Sequence, residues 1–193
     1  MESRPPASDA ELIARAVEGD EPAFAALVDR HATRAFRAAY LVLRDADRAA
    51  DATQEAFINV HRALARFRTD EPFVPWLLAI VGNRARNLRR ADWRRLAAWG
   101  RAADVAAREP ALRTAPSPEG DVMAAERRAA IVAAVDSLPQ ADRLVISCRY
   151  FAELGEAETA ALLGVARGTV KSRLSRARQR LRTVLEARGL TDV

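Results

Sequence analysis

The sequence predicts an all-α fold: two small helical domains joined by a flexible linker, the C-terminal one a helix-turn-helix. Three observations carry this. Half of the 193 residues are hydrophobic and alanine supplies much of that half; alanine is the best helix former and a poor strand former. Apolar residues recur at spacings of three and four, and no segment alternates apolar with polar over a strand length. Between Gly100 and Gly120 the periodicity lapses and Pro110, Thr114, Pro116, Ser117 and Pro118 gather, the composition of a linker. The length suits one ordinary domain or two small ones, so domains are expected over 8–99 and 121–189, with the linker at 100–120.

After a loose polar start a helix is expected from Asp9 to Val17, stopped by Gly19-Asp20. Asp20 can cap the next helix, which opens Glu21-Pro22 as a helix N-terminus should. Phe24, Leu27, Val28, Ala35, Ala38 and Val42 give it a buried stripe. Asp45 and Asp47 offer a second cap, for a helix from about Arg48 to Phe67 whose core face is Phe57, Val60, Leu64 and Phe67. A second stripe, Asp51, Gln54, Glu55, Ile58 and Arg62, sets an apolar residue in a polar face. On pattern alone it fits a solvated face with a stray isoleucine as well as a contact surface.

Two prolines and Thr-Asp make RFRTDEPFVP a loop, yet it carries Phe67 and Phe73. Pro75 then starts a long helix to about Trp99, with Leu77, Ile80, Val81 and Leu88 inward. Arg84, Arg86, Arg89, Arg90, Arg94 and Arg95 crowd its second half around Trp93. Arginines interleaved with rings suit a nucleic-acid single strand; a basic helix around a core tryptophan has the same pattern.

Beyond the linker, helices are expected from Asp121 to Val135, from after Pro139 to Tyr150, from Glu156 to Leu163, and from Arg167 to about Arg188. Met123, Ile131 and Val135 form the apolar side of the first of these. Gly164 follows the third in the position that favours a left-handed backbone.

The net charge is +5 and the isoelectric point about 10.4, which points to a polyanionic partner. Lys171 is the only lysine; arginine bias from GC-rich coding explains much of the total, so placement matters more than number. Cys148 is the single cysteine, flanked by apolar residues, and is expected to be a buried inert thiol. No disulfide within the chain can form, which fits a reducing, cytoplasmic setting. The start has no apolar signal region, and stretches such as VPWLLAIVG are too short to span a bilayer. No membrane insertion is expected.

The segment GVARGTVKSRLSRARQRL, from Gly164 to Leu181, offers two readings. A phosphate-cradling loop needs G-x-x-x-x-G-K-[ST] between strand and helix. Here the lysine comes two residues late and a helix precedes the glycine, so that reading fails. A helix-turn-helix fits. Ala160 is small where two helices must approach, and Val170, Leu174, Ala177 and Leu181 turn inward. Arg167, Thr169, Lys171, Ser172, Arg173, Ser175 and Arg176 remain near the start of the last helix, where a recognition helix meets base edges. Arg178, Arg180 and Arg182 would meet phosphates or solvent. His31 and His61 lack metal-ligand spacing, and no catalytic constellation or cofactor motif is present. An enzyme is not expected.

Both halves resemble the bacterial sigma factors of RNA polymerase, in particular the small extracytoplasmic-function (ECF) group, which has only the second and fourth conserved regions. The resemblance runs along DADRAADATQEAFINVHRALARF and FVPWLLAIVGNRARNLRR, then along SLPQADRLVISCRYF and AETAALLGVARGTVKSRLSRARQRL. It implies that Asp51, Gln54, Glu55 and Ile58 bind the β′ clamp helices of core polymerase, with the β subunit a further contact. It implies that Phe67, Arg68, Phe73, Asn83, Arg84, Asn87 and Arg90 capture the melted non-template strand of the −10 element. The last helix would read the −35 element as duplex. An anti-sigma partner is also implied. Ala52-Thr53 stands where the family usually has leucine-valine, and Glu153, Glu156 and Glu158 make the approach to the helix-turn-helix more acidic than usual. The alternative is a stand-alone helix-turn-helix regulator, which would need neither the loop aromatics nor the Asp51–Ile58 stripe.

Overall fold

A computed structural model describes residues 7–98 and 122–190, and the expected linker at 100–120 lies outside them. The described residues form eight α-helices and a 3₁₀ turn, with no strand among them. The chain divides into two compact units, one built on α1 to α3 and α4 up to Asp92, the other on α5, α6 and α8.

In the first unit, α1 (Asp9–Val17) opens on a capping box. The Ser8 hydroxyl accepts from the Glu11 backbone, and the Glu11 carboxylate accepts from the Ser8 N–H at 2.7 Å, so two orphan donors are satisfied reciprocally. Gly19, at φ +94°, turns the chain. Asp20 then caps α2 (Glu21–Leu43) by accepting from Ala23 N–H at 3.1 Å. Arg44 ends α2 in the left-handed region, φ +57°, and Asp45 caps α3 (Ala46–Ala63) through Arg48 N–H at 3.0 Å.

Helix α2 packs on both α1 and α3. It buries Leu27, Ala35, Ala38, Ala39 and Val42, and α3 buries Ala49, Ala52, Ala56, Phe57 and Val60. Alanines on both helices remove the side-chain bulk that would hold their axes apart.

The α-helix does not run to Phe67 as expected. It ends at Ala63, and Leu64–Arg66 form a 3₁₀ turn that leaves Phe67 extended. The final turn tightens to bring Leu64 into the core, 3% exposed. Helix α4 (Phe73–Ala98) begins two residues before Pro75, because proline is harmless anywhere in a first turn, where N–H groups have no helical partner.

In the second unit, α5 (Val122–Asp136), α6 (Gln140–Tyr150) and α8 (Arg167–Ala187) enclose Val135, Leu138, Ile146 and Ala177, with Leu174 and Leu181 packed against them. Helix α7 (Glu156–Leu163) ends at Gly164, whose φ of +66° lets Val165 N–H reach Ala160 O at 3.1 Å. Asp142, buried on α6, is ion-paired with Arg180 of α8, which ties the last helix to its support.

Candidate nucleic-acid interface

Three groups of exposed side chains lie on the elements just described. The first is on α3. Asp51 and Gln54 are exposed, Glu55 half-buried, and Ile58 leaves 45% of its surface in solvent. Beside Ile58 an apolar groove of about 730 Å³ opens between α2 and α3, lined by Phe24, Val28, Phe36, Phe57, Ile58 and His61. Sequence reasoning missed this groove: it assigned Phe24 and Val28 to a buried stripe, whereas both stay part-exposed along its wall. His61 meets Phe24 edge-on at 4.7 Å. The off-stripe Phe36 was the one signal that could have marked α2 as having a second apolar face.

The second group is the loop 67–72 with the start and middle of α4. Phe67 is half-buried, 4.8 Å from Trp76 and edge-on to Phe73 at 5.7 Å. Phe73, expected among the strand-contacting residues, is only 5% exposed and packs beneath Phe67. The two prolines and Thr-Asp around it suggested a loop residue, but it is the first residue of α4 and packs against His31.

Arg68 is exposed and donates to Asp70 at 2.7 Å, with Glu71 at 3.5 Å. The bond to Asp70, helped by the charge of Glu71, raises the guanidinium pKa further. Asn83, Asn87 and Arg90 are exposed, and Asn83 Oδ1 accepts from Arg86 at 2.5 Å. Arg84 is ion-paired with Glu55 of α3, its Nη2 donating to Oε1 at 2.5 Å. The pair joins a residue of the first group to one of the second.

The third group is on α8. Val170 and Ala177 are buried and Leu174 partly so. That leaves Arg167, Lys171, Ser172, Ser175 and Arg176 exposed, with Thr169 and Arg173 half-buried beside them. Ser172 Oγ donates to Thr169 O at 3.1 Å, a bond that any stronger acceptor can replace. Arg180 stays exposed to solvent, and buried Asp142 also holds its guanidinium. Arg178 and Arg182 are exposed.

These surfaces offer cations, hydroxyls, amides and one half-covered ring, all suited to recognition. Cys148 is buried in α6 and burial pushes its thiol up to about 12, so it stays protonated and unreactive at neutral pH. Among the described residues no group of His, Cys, Asp and Glu could hold a metal ion, and no helix is long and apolar enough to cross a membrane.

Residues 27–95 match the family model of Sigma-70 region 2, and residues 128–181 that of Sigma-70, region 4. The RNA polymerase sigma-H factor of Pseudomonas aeruginosa is 32% identical over 188 residues, covering 92% of this chain and 94% of its own. The ECF RNA polymerase sigma-E factor of Escherichia coli K12 is 35% identical, with 89% and 91% covered. The ECF RNA polymerase sigma factor SigM of Mycobacterium tuberculosis is 39% identical, with 92% and 85% covered. Among solved structures, CnrH in complex with the cytosolic domain of CnrY matches with a TM-score of 0.61 at 27% identity, over 93% of this chain and 97% of that one. With both region models matched in order and relatives aligned along nearly the whole length, the chain belongs to the extracytoplasmic-function group of the sigma-70 family of RNA polymerase sigma factors.

Proposed function

We propose that this sigma factor works through the three surfaces in turn. Asp51, Gln54, Glu55 and Ile58 dock on the β′ clamp helices of core polymerase, with Ile58 as an apolar anchor inside a polar rim. The start of α8 enters the major groove of the −35 element: Arg173 and Arg176 reach guanine edges, while Lys171, Ser172 and Ser175 meet bases or phosphates. Downstream, Phe67 and Arg68 of the loop, with Asn83, Asn87 and Arg90 on α4, hold the non-template strand of the −10 element. Flipping a base out of the stack costs a few kcal/mol, and holding it draws the melting equilibrium toward the open state. No covalent step is needed.

The observation that carries this reading is the exposure of Ile58 on a face rimmed by Asp51, Gln54 and Glu55, since a stand-alone regulator has no use for it. The likeness to CnrH, solved in complex with the cytosolic domain of CnrY, supports a protein partner, and the partner we propose is an anti-sigma factor that masks the Ile58 face or α8. A candidate inhibitor that binds equally well when both surfaces are mutated would exclude that mode of masking.

In-vitro transcription with core polymerase, with and without the chain, on a pool of genomic fragments tests the whole reading. New discrete start sites that need the chain are expected, and their upstream sequences define the two elements. Absence of core binding and transcripts, together with tight binding to duplex alone, would replace it with the stand-alone regulator.

A further inference from the structure

We infer that His31 is a positioning residue for strand capture, acting through Phe73 and held in place by Asp9 of α1; the inference rests on the reading of the 67–72 loop given above. His31 lies on α2 and is 6% exposed. Its Nε2 donates to Asp9 Oδ2 at 3.0 Å, and its ring stands 5.3 Å from that of Phe73, tilted by 54°.

Asp9 is fixed from several sides. It is the first residue of α1, directly behind the Ser8 capping box. Arg30 Nη1 donates to its other oxygen at 2.6 Å, and Arg30 Nη2 donates to Ala7 O at 2.6 Å. The start of α1 is thus stapled to α2 by two side chains one residue apart. Without the Asp9 carboxylate, the buried imidazole would lose the acceptor that sets its orientation.

The staple matters because of what α1 touches. Helix α1 packs against the 3₁₀ turn Leu64–Arg66, which leads directly into the loop. At the loop's other end stands Phe73, reached from α1 through His31. Phe73 in turn supports Phe67, and both rings lie against Trp76. One end of the loop therefore rests on α1 directly and the other through His31 of α2, which Asp9 of α1 holds; α1 precedes the residues matched by the region 2 model. A loop whose aromatic floor is already fixed loses less conformational freedom on receiving a base and tells the right base from the wrong one more sharply.

The test uses holoenzyme reconstituted with full-length chain. Its probe is a single-stranded oligonucleotide bearing the −10 segment mapped by transcription, matched or with the captured base replaced. The readout is the ratio of the two affinities, which the fraction of folded protein does not change. In His31→Ala the ratio is expected to fall at least about fivefold, with core affinity and −35 duplex affinity unchanged, and His31→Gln, which keeps a donor, restores most of it. Asp9→Ala, at a part-exposed position, gives the same fall and decides the matter if His31→Ala does not fold. A wild-type ratio in Asp9→Ala and in folded His31→Ala overturns the inference while leaving strand capture intact. A wild-type holoenzyme that does not discriminate removes the strand-capture reading and the inference together.

Discussion

Arg84 on α4 and Glu55 on α3 hold each other, with Nη2 donating to Oε1 at 2.5 Å, although the family resemblance assigns one to the DNA and the other to the polymerase. Their side chains are 33% and 45% exposed, so solvent screens the pair and it contributes at most about 1 kcal/mol to stability. A double-mutant cycle with Glu55→Gln and Arg84→Gln in urea should return a coupling near ~0.5 kcal/mol. The larger effect is on binding. If Arg84 meets the strand's phosphates, as the family resemblance implies, Glu55 withholds that cation, and Glu55→Gln should strengthen binding of the free chain to single-stranded DNA. The slope of log affinity against log salt should steepen by about 0.7, the value for one further phosphate contact on a single strand. An unchanged slope would show that Glu55 does not withhold Arg84.

Asp20 caps α2 and pairs with Arg15 at 2.6 Å. The bond from Arg15, then the bond from Ala23 N–H, holds its carboxyl below the usual carboxylate range. On acidification the unfolded chain therefore takes up this proton first. The stabilisation is complete above the ordinary carboxylate range and disappears as pH falls through the lowered value. Asp20→Asn keeps an oxygen for the cap but cannot titrate. Thermal unfolding followed downward from pH 5 should show the variant losing stability less steeply than the wild type. Parallel curves would mean that the Arg15 bond does not persist in solution.

Ser147 on α6 is fully buried, and its hydroxyl has no hydrogen-bond partner among the described residues. A hydroxyl taken from water without a partner costs about 1–3 kcal/mol. Ser147→Ala should raise stability by about 1 kcal/mol in denaturant titrations without moving DNA affinity. A loss of stability would reveal a partner that the hydroxyl finds in solution.

Local signals were readable in the sequence and long-range pairings were not. The bounds of α1 and α7, the caps Asp20 and Asp45, and the left-handed Gly164 each depend on chemistry within about four residues. The 3₁₀ ending of α3 depends on where Leu64 finds the core. The burial of Phe73 depends on His31, forty-two positions earlier in the chain. Periodicity also cannot say which of many carboxylates an arginine meets. Arg84 meets Glu55 and Arg180 meets the buried Asp142, pairings between helices that no local pattern marks. The groove beside Ile58 escaped for a related reason: a helix that shows one core stripe gives little sign of a second apolar face left open.

Arg176 is exposed on α8, and its Nε makes only a long 3.4 Å contact with Ser172 O, so the guanidinium is available to a base. Arg176→Ala should weaken −35 duplex binding by about 1–3 kcal/mol and relax selectivity at a single base pair, with core affinity unchanged. Binding measured across a panel of single-base variants checks both parts. A uniform loss at every variant would reassign Arg176 to phosphate, and unchanged selectivity with unchanged affinity would remove it from the interface.

Ile58 separates docking from folding most cleanly. Its side chain is 45% exposed, so Ile58→Asp should change the stability of the free chain by no more than about 0.5 kcal/mol. In the docked state the same position would be an apolar anchor, and anchors of this kind are worth about 2 kcal/mol or more, roughly thirtyfold in affinity. Competition for core polymerase against the wild-type chain should therefore show at least that loss, while −35 duplex binding by the isolated variant stays intact. Retained core affinity would move the docking surface away from α3. A large loss of stability instead would mean that Ile58 closes over the groove it borders, with Phe24, Val28 and Phe36, and serves the fold before it serves a partner.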